Sequence, residues 1–231
     1  MAVEVGFNTL LLIAAYLFGS IPTGYWVTYH LKNIDIRHYG SGSTGATNVL
    51  RVVGKGAGLF VLAADVCKAI AAISLVRISY YLVDLYQILP PGIDLEISKP
   101  WMMTLAGLAA LFGHSNSLWL MVGPGRDAKL ANGGKAVASS LGVLLALSWP
   151  VGLATLGIFV TIITLSRIVS LSSMLSAIAI SVLMLGTHQP LPFCLFAIAA
   201  TTYVLIRHRA NIDRLLSGTE PRLGQQVQAS D

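Results

Sequence analysis

Three glycines, four hydroxyl side chains and one arginine crowd into Gly40-Ser41-Gly42-Ser43-Thr44-Gly45-Ala46-Thr47-Asn48-Val49-Leu50-Arg51, twelve residues of an otherwise apolar chain. Such a set suits an oxyanion: glycines let backbone N–H groups approach it closely, hydroxyls donate further hydrogen bonds, and a guanidinium matches phosphate oxygens bidentately. The alternative is a mobile polar turn between helices. A second glycine-rich basic loop starts at Gly123 and ends in Gly133-Gly134-Lys135, immediately before a small-residue segment reading as a helix over residues 136–147. There the helix's free N–H groups and positive end add to the charge of Lys135. A third cluster lies in the tail. At about 100° per residue His208 and Asn211 share one helical face, with Arg207 and Arg214 near the same line. That spacing converges an imidazole, an amide and two guanidinium groups at a membrane surface, unless the segment is only a basic stop-transfer helix.

Two better-known phosphate motifs do not fit. Residues Gly40 to Gly45 satisfy G-x-G-x-x-G, but a dinucleotide fold needs a strand before it, and here a hydrophobic helix precedes it. A P-loop would need Lys followed by Ser or Thr where Ala46-Thr47 stands.

The elements that must position these clusters are membrane helices. Of 231 residues, 55% are hydrophobic and 11% charged, with mean hydropathy +0.74, far fewer charges than a soluble domain carries. Apolar spans read at residues 6–29, 57–78, 101–120, 136–147, 151–165, 170–186 and 191–206, an all-α bundle of seven transmembrane helices. Residues 79–100, with Asp84, Asp94, Glu96 and three prolines in it, read as an outside loop. The first span carries Glu4 rather than a basic n-region at its leading end, so it reads as uncleaved. Lys32, Arg37, Arg51, Lys55, Arg126, Lys129, Lys135, Arg167, Arg207, Arg209, Arg214 and Arg222 fall on one side and Lys99 on the other. This asymmetry predicts an outside N-terminus and a cytoplasmic C-terminus. The whole of residues 1–224 reads as one integral-membrane domain, with residues 225–231 a flexible tail.

Net charge +5 does not imply nucleic acid, because the basic residues sit in short loops between spans. Cys67 and Cys194 lie inside apolar segments without metal-ligand spacing, so neither a disulfide nor a metal site is expected. Asp65 and Lys68 share a helical face inside the second span, as an internal salt bridge or a functional pair. His114, in the third span, reads as a hydrogen-bonded packing residue or a functional one. Gly19-Ser20-Ile21-Pro22-Thr23-Gly24 permits close helix packing or a kink.

Taken together, the three clusters resemble the signature motifs of the bacterial acyl-phosphate:glycerol-3-phosphate acyltransferases. Gly40 to Arg51 matches G-S-G-x-x-G-A-T-N-x-x-R, Gly133 to Lys135 matches G-G-K at a helix start, and His208 to Pro221 matches H-R-x-N-I-x-R-L-x-x-G-T-E-P. The resemblance implies a seven-helix bundle in the bacterial cell membrane with its site open to the cytoplasm. The implied reaction moves an acyl group from acyl phosphate to the 1-hydroxyl of glycerol 3-phosphate, with no cofactor and no metal. It assigns Ser41 and the backbone of Gly40, Gly42 and Gly45 to the acyl phosphate. Arg51, Lys135, His208 and Asn211 go to glycerol 3-phosphate and nearby phosphate oxygens, with Gly133 and Gly134 beside Lys135 and Asn48 supporting the first loop. Ser170, Ser173 and Arg167 resemble a serine-bearing break that touches the donor. Besides the two substrates, implied partners are membrane lipid and the enzyme that makes acyl phosphate.

Acyl phosphate is already activated, so catalysis needs two anions brought together and an oxyanion stabilised by fixed donors. His208-x4-Asp213 matches an Asp–His acyltransferase spacing, yet on a straight helix positions five apart diverge by about 140°; substrate phosphate serving as base is the family alternative. Departures from the family pattern are Ser43-Thr44 in place of Asn-Pro, Asn132 in place of a basic residue, Ala136 in place of Gly, and a longer loop before Gly133. A small anion or lipid transporter is the competing class, and an inactive scaffold a third; a transporter predicts midplane sites and repeated halves, and no internal repeat is visible.

Overall fold

The computed structural model describes residues 2–87, 94–122, 133–134 and 136–223. Lys135, and Arg126, Lys129 and Asn132 of the second loop, lie outside the described residues, as does the tail from residue 224. The chain forms two compact units, Met1–Ser148 and Trp149–Asp231.

The first unit holds α1 (Ala2–Ser20), α2 (Thr23–Lys32), a 3-10 turn (Ile36–His38), α3 (Ala46–Val52), α4 (Lys55–Leu85), α5 (Leu95–Ser115), α6 (Leu118–Val122) and α7 (Val137–Leu147). The long α4 is its axis, with α1, α3, α5 and α7 all packed on it. Helices α1 and α5 approach closely at glycines: a Cβ on Gly19 would overlap the Ala110 backbone, and one on Gly113 the Tyr16 carbonyl. Small residues at such crossings exchange side-chain volume for backbone proximity. Pro22 cannot donate a helical hydrogen bond, and α1 stops two residues before it. Carbonyls at this break are taken up from elsewhere in the unit: Ser117 Oγ, between α5 and α6, donates to Ser20 O at 2.5 Å, and Lys68 Nζ of α4 to Ile21 O at 2.8 Å.

The second unit holds α8 (Trp149–Ser166), α9 (Val169–Gly186), α10 (Leu191–Arg207) and α11 (Arg209–Leu216), with α9 packed against both α8 and α10. A bend of 59° separates α10 from α11.

Among the described residues four stretches are long and apolar enough to cross a membrane: Val3–Lys32, Lys55–Leu85, Trp149–Ser166 and Val169–Gly186; α10 with α11 makes a bent fifth candidate. The expected outside loop at residues 79–100 is corrected by the structure, since α4 continues to Leu85 and α5 begins at Leu95. Tyr80 and Val83 stay on the buried face of α4, and Tyr80 Oη donates to Asn8 Oδ1 of α1 at 3.0 Å, so packing extends the helix beyond its purely apolar run. Asp94 accepts from the N–H groups of Glu96 and Ile97 at 3.0 and 3.1 Å, and this N-cap starts α5 before Pro100. The third expected span is likewise interrupted at Asn116-Ser117, between α5 and α6.

Candidate active site

In the first unit, the glycine-rich loop is held in shape by one side chain. Asn48, 2% exposed, accepts from Ser41 N through Oδ1 at 3.0 Å and donates through Nδ2 to Tyr39 O at 3.0 Å and Ser43 O at 2.8 Å. Gly40 and Gly42 take φ of +60° and +67°, where L side chains are strained. A Cβ on Gly40 would also overlap Asn48 Oδ1. The N–H groups of Ser41, Gly42 and Gly45 are engaged inside the loop, with Asn48 Oδ1, Tyr39 O and Ser43 Oγ respectively. The outward groups are therefore side chains: Ser41 is exposed at the loop surface, and Arg51 is exposed in the last turn of α3.

Beneath this loop Arg37 is almost fully buried, although sequence places it among the cytoplasmic basic residues. Its guanidinium clamps Asp35, with Nε 2.9 Å from Oδ1 and Nη2 2.6 Å from Oδ2, and lies over the Tyr25 ring at 5.1 Å. Burial pushes the Asp35 carboxyl up, but its hydrogen bonds with Arg37 and that residue's charge outweigh burial and hold it below the usual carboxylate range. The Asp-x-Arg spacing was the available signal for this clamp.

The second glycine motif meets the first. A Cβ built on Gly45 would lie 3.7 Å from Gly134 Cα, so the two backbones are in near contact. Gly133 N donates to Ser115 O at 2.8 Å. The His114 ring sits against Gly134, and its Nδ1 lies 3.1 Å from Ser139 Oγ and 3.7 Å from Asp65 Oδ1. Asp65 also accepts from Lys68 Nζ at 2.8 Å and Thr23 Oγ1 at 3.0 Å. The intramembrane pair is thus an internal salt bridge that extends to His114, a connection its spacing could not reveal.

In the second unit, Glu220 gathers the tail motif. Ser170 Oγ and Asn211 Nδ2 donate to its Oε1 at 2.6 and 2.7 Å, and Arg214 Nε to its Oε2 at 2.8 Å. Burial pushes the Glu220 carboxyl up, yet these three bonds and the Arg214 charge prevail and hold it below the usual range. Ser173 Oγ instead donates along its own helix to Val169 O at 2.8 Å. His208 occupies the bend between α10 and α11, so the straight-helix geometry expected for this segment does not apply. Its Nδ1 is 2.8 Å from Val204 O, a carbonyl that accepts the Nδ1 proton and leaves Nε2 as the acceptor nitrogen of the neutral ring. His208 and Asn211 are buried, whereas Asp213 is exposed. Glu220 stands in the tail motif, but its spacing alone did not mark it as the hub. Among the described residues no group of three or more His, Cys, Asp or Glu side chains could hold a metal ion.

The sequence profile described as glycerol-3-phosphate acyltransferase matches residues 9–218. A glycerol-3-phosphate acyltransferase of Nostoc is 52% identical over 215 residues, covering 93% of this chain and 91% of its own. One from Acaryochloris marina is 50% identical over 230 residues, covering 100% of this chain and 98% of its own. The crystal structure of PlsY, an integral membrane glycerol 3-phosphate acyltransferase in its glycerol 3-phosphate form, superposes with TM-score 0.75 at 33% identity, covering 94% of this chain and 96% of that one. Its lysophosphatidic acid form gives TM-score 0.73 at 32% identity, covering 94% of this chain and 95% of that one. With identity sustained over nearly the full length and several helices apolar enough to span a bilayer, this chain is a multi-pass membrane protein that belongs to the glycerol-3-phosphate acyltransferase family.

Proposed function

We infer that the chain transfers a fatty acyl group from an acyl phosphate to the 1-hydroxyl of sn-glycerol 3-phosphate, giving lysophosphatidic acid and phosphate. The observation that carries this reading is the first loop: Asn48 locks its backbone, while the Ser41 hydroxyl and Arg51 guanidinium stay exposed beside it. A preorganised hydroxyl and a bidentate cation suit a phosphate monoester or anhydride and need no reorganisation when charge develops. PlsY structures in glycerol 3-phosphate and lysophosphatidic acid forms support the same substrate and product for this chain.

In this reading the acceptor hydroxyl attacks the acyl carbonyl, the carbon–oxygen bond to phosphate breaks, and phosphate leaves with the electron pair. Ser41 binds the donor phosphate, with the positive-φ glycines Gly40 and Gly42 presenting it and Gly45 allowing the second loop to approach. Arg51 and Lys135 offset the repulsion between the two anions, with Gly133 and Gly134 placing Lys135. His208 and Asn211 serve the acceptor, and a substrate phosphate takes the hydroxyl proton. Ser170 and Ser173 line the donor side. Residues 1–224 act as one catalytic domain, and its seven spans are α1 with α2, α4, α5, α7, α8, α9 and α10. The N-terminus faces outward, and the C-terminus and site face the cytoplasm of a bacterial cell membrane. Association with an enzyme that supplies acyl phosphate follows from the donor's lability.

The test is acyl transfer by purified protein in detergent, with labelled glycerol 3-phosphate and either palmitoyl phosphate or palmitoyl-CoA, alongside Ser41→Ala and Arg51→Ala. Lysophosphatidic acid from acyl phosphate alone, lost in both variants, is the expected result. Product from acyl-CoA overturns the donor, and no product from either donor overturns the reaction.

A further inference from the structure

The tip of α5 touches the second glycine motif twice. Its Ser115 carbonyl accepts the Gly133 N–H at 2.8 Å, and the Nε2 edge of the His114 imidazole lies so close to Gly134 that a Cβ there would overlap it. Gly133 is equally tight, since a Cβ on it would overlap the His114 carbonyl. On the ring's other side Nδ1 is 3.1 Å from Ser139 Oγ in α7 and 3.7 Å from Asp65 Oδ1 in α4. Asp65, 2% exposed, is itself held by Lys68 and by Thr23 at the start of α2. The ring is thus braced from two helices on one side, one of them through an Asp65 that α2 also holds, and it supports a glycine backbone on the other. Gly134 then meets Gly45 of the first loop.

We propose that His114 is a positioning residue for acyl transfer: braced by Asp65 and Ser139, it is the pedestal that sets Gly133-Gly134 against Gly45 and so aligns the two anion-binding motifs. The pedestal rests on the acyl-transfer reading for its kinetic consequence, and its geometry lies outside the three sequence motifs. Burial of an Asp–Lys–His set inside a membrane bundle is costly unless every member is paired. Here Asp65 and Lys68 pair with each other at 2.8 Å, and the chain of contacts continues from Asp65 through His114 to the loop backbone. A glycine with no Cβ lets the ring's edge contact the main chain itself, so a shift of the ring transmits directly to the loop. Misplacement of a reacting group by about 1 Å can cost on the order of a hundredfold in rate.

The experiment uses the full chain purified in detergent, with His114→Ala, His114→Gln, Gly134→Ala and the double variant His114→Ala/Gly134→Ala. Steady-state acyl transfer from palmitoyl phosphate gives kcat and KM, and glycerol 3-phosphate protection against thermal unfolding gives binding without turnover. His114→Ala is expected to raise KM for glycerol 3-phosphate about tenfold with a smaller change in kcat. Gln, whose amide reaches toward the Nε2 position, should recover part of that loss. Gly134→Ala should be severe alone but less than multiplicative with His114→Ala, because removing the ring makes room for the added methyl. Wild-type KM and wild-type protection in folded His114→Ala, or a fully multiplicative double variant, overturns the pedestal. Failure of the wild type to make lysophosphatidic acid overturns the acyl-transfer reading instead. Loss of glycerol 3-phosphate protection in His114→Ala would still support the pedestal.

Discussion

Replacing Asn48 by Asp tests whether this residue shapes the first loop through its backbone. The two side chains are nearly isosteric, but Asp cannot donate where Asn48 Nδ2 now faces Tyr39 O at 3.0 Å and Ser43 O at 2.8 Å. A carboxylate there would set oxygen against two carbonyls while keeping only the acceptor role toward Ser41 N. Asn48→Ala loses these three bonds, and a longer fourth from Nδ2 to Ile36 O at 3.5 Å, but adds no repulsion. At about 1 kcal/mol net per buried bond, Asn48→Ala costs about 3 kcal/mol, roughly a hundredfold shift in the equilibrium between ordered and disordered loop. Asn48→Asp loses two bonds, about 2 kcal/mol, and adds the cost of leaving polar groups opposed in a buried site, of order 1–3 kcal/mol. Asp is therefore expected to be at least as damaging as Ala despite its closer shape. Thermal unfolding in detergent and acyl-transfer rates at saturating substrate read the two variants. Near wild-type activity and melting temperature for Asn48→Asp would refute the scaffolding argument, because an isosteric acid is tolerated only where the amide's donors are unused.

Glu220→Gln should leave the fold recognisable but weaken the tail motif, since it removes the negative partner of Arg214 and places an amide where both oxygens now accept; circular dichroism melts compared with wild type check this. The Glu220 and Asp35 carboxyls are both held below their unfolded values. Their stabilisation is therefore present above the ordinary carboxylate range, around pH 4, and is lost as pH falls through the lowered folded values. Glu220→Gln should flatten the acid limb of stability against pH, and an unchanged limb would exclude Glu220 as a contributor. Ala136 has φ +59° at the N-cap of α7. Ala136→Gly should relieve left-handed strain of about 1–2 kcal/mol against a glycine entropy cost of about 0.5–1 kcal/mol, raising the melting temperature by about 1–3 °C. Arg37→Lys keeps the charge but gives up the bidentate clamp on Asp35 and the stacking on Tyr25, and should lower the melting temperature although both residues are cationic.

Much of the chemistry was legible because it resides in residue types and short spacings. Glycines at 40 and 42 adjoin Ser41, Arg51 follows within ten residues, and the apolar stretches exceed a bilayer's need in α1 with α2 and in α4. The break at Pro22 was equally local, since a missing N–H acts on its own turn. Helix ends were less legible. The polar residues of 79–100 suggested a loop, but Tyr80 packs inward and Asp94 caps α5, so tertiary burial and one N-cap overrode composition. In the tail, a bend at His208 replaced the straight helix on which its face was reckoned.

By itself, then, the sequence determined which groups could bind anions and that the chain must solve the problem of backbone hydrogen bonding in lipid, because composition and helical period are properties of neighbouring residues. Only the tertiary structure decided which of those groups are spent internally. Asn48, Arg37 and Glu220 are committed to the loop, to Asp35 and to the tail, while Ser41 and Arg51 stay outward. It also decided that Gly45 meets Gly134 and that Asp65 reaches His114. Hydrogen-bond partnership and close approach depend on pairs of residues tens of positions apart, and they exist only once the helices have packed.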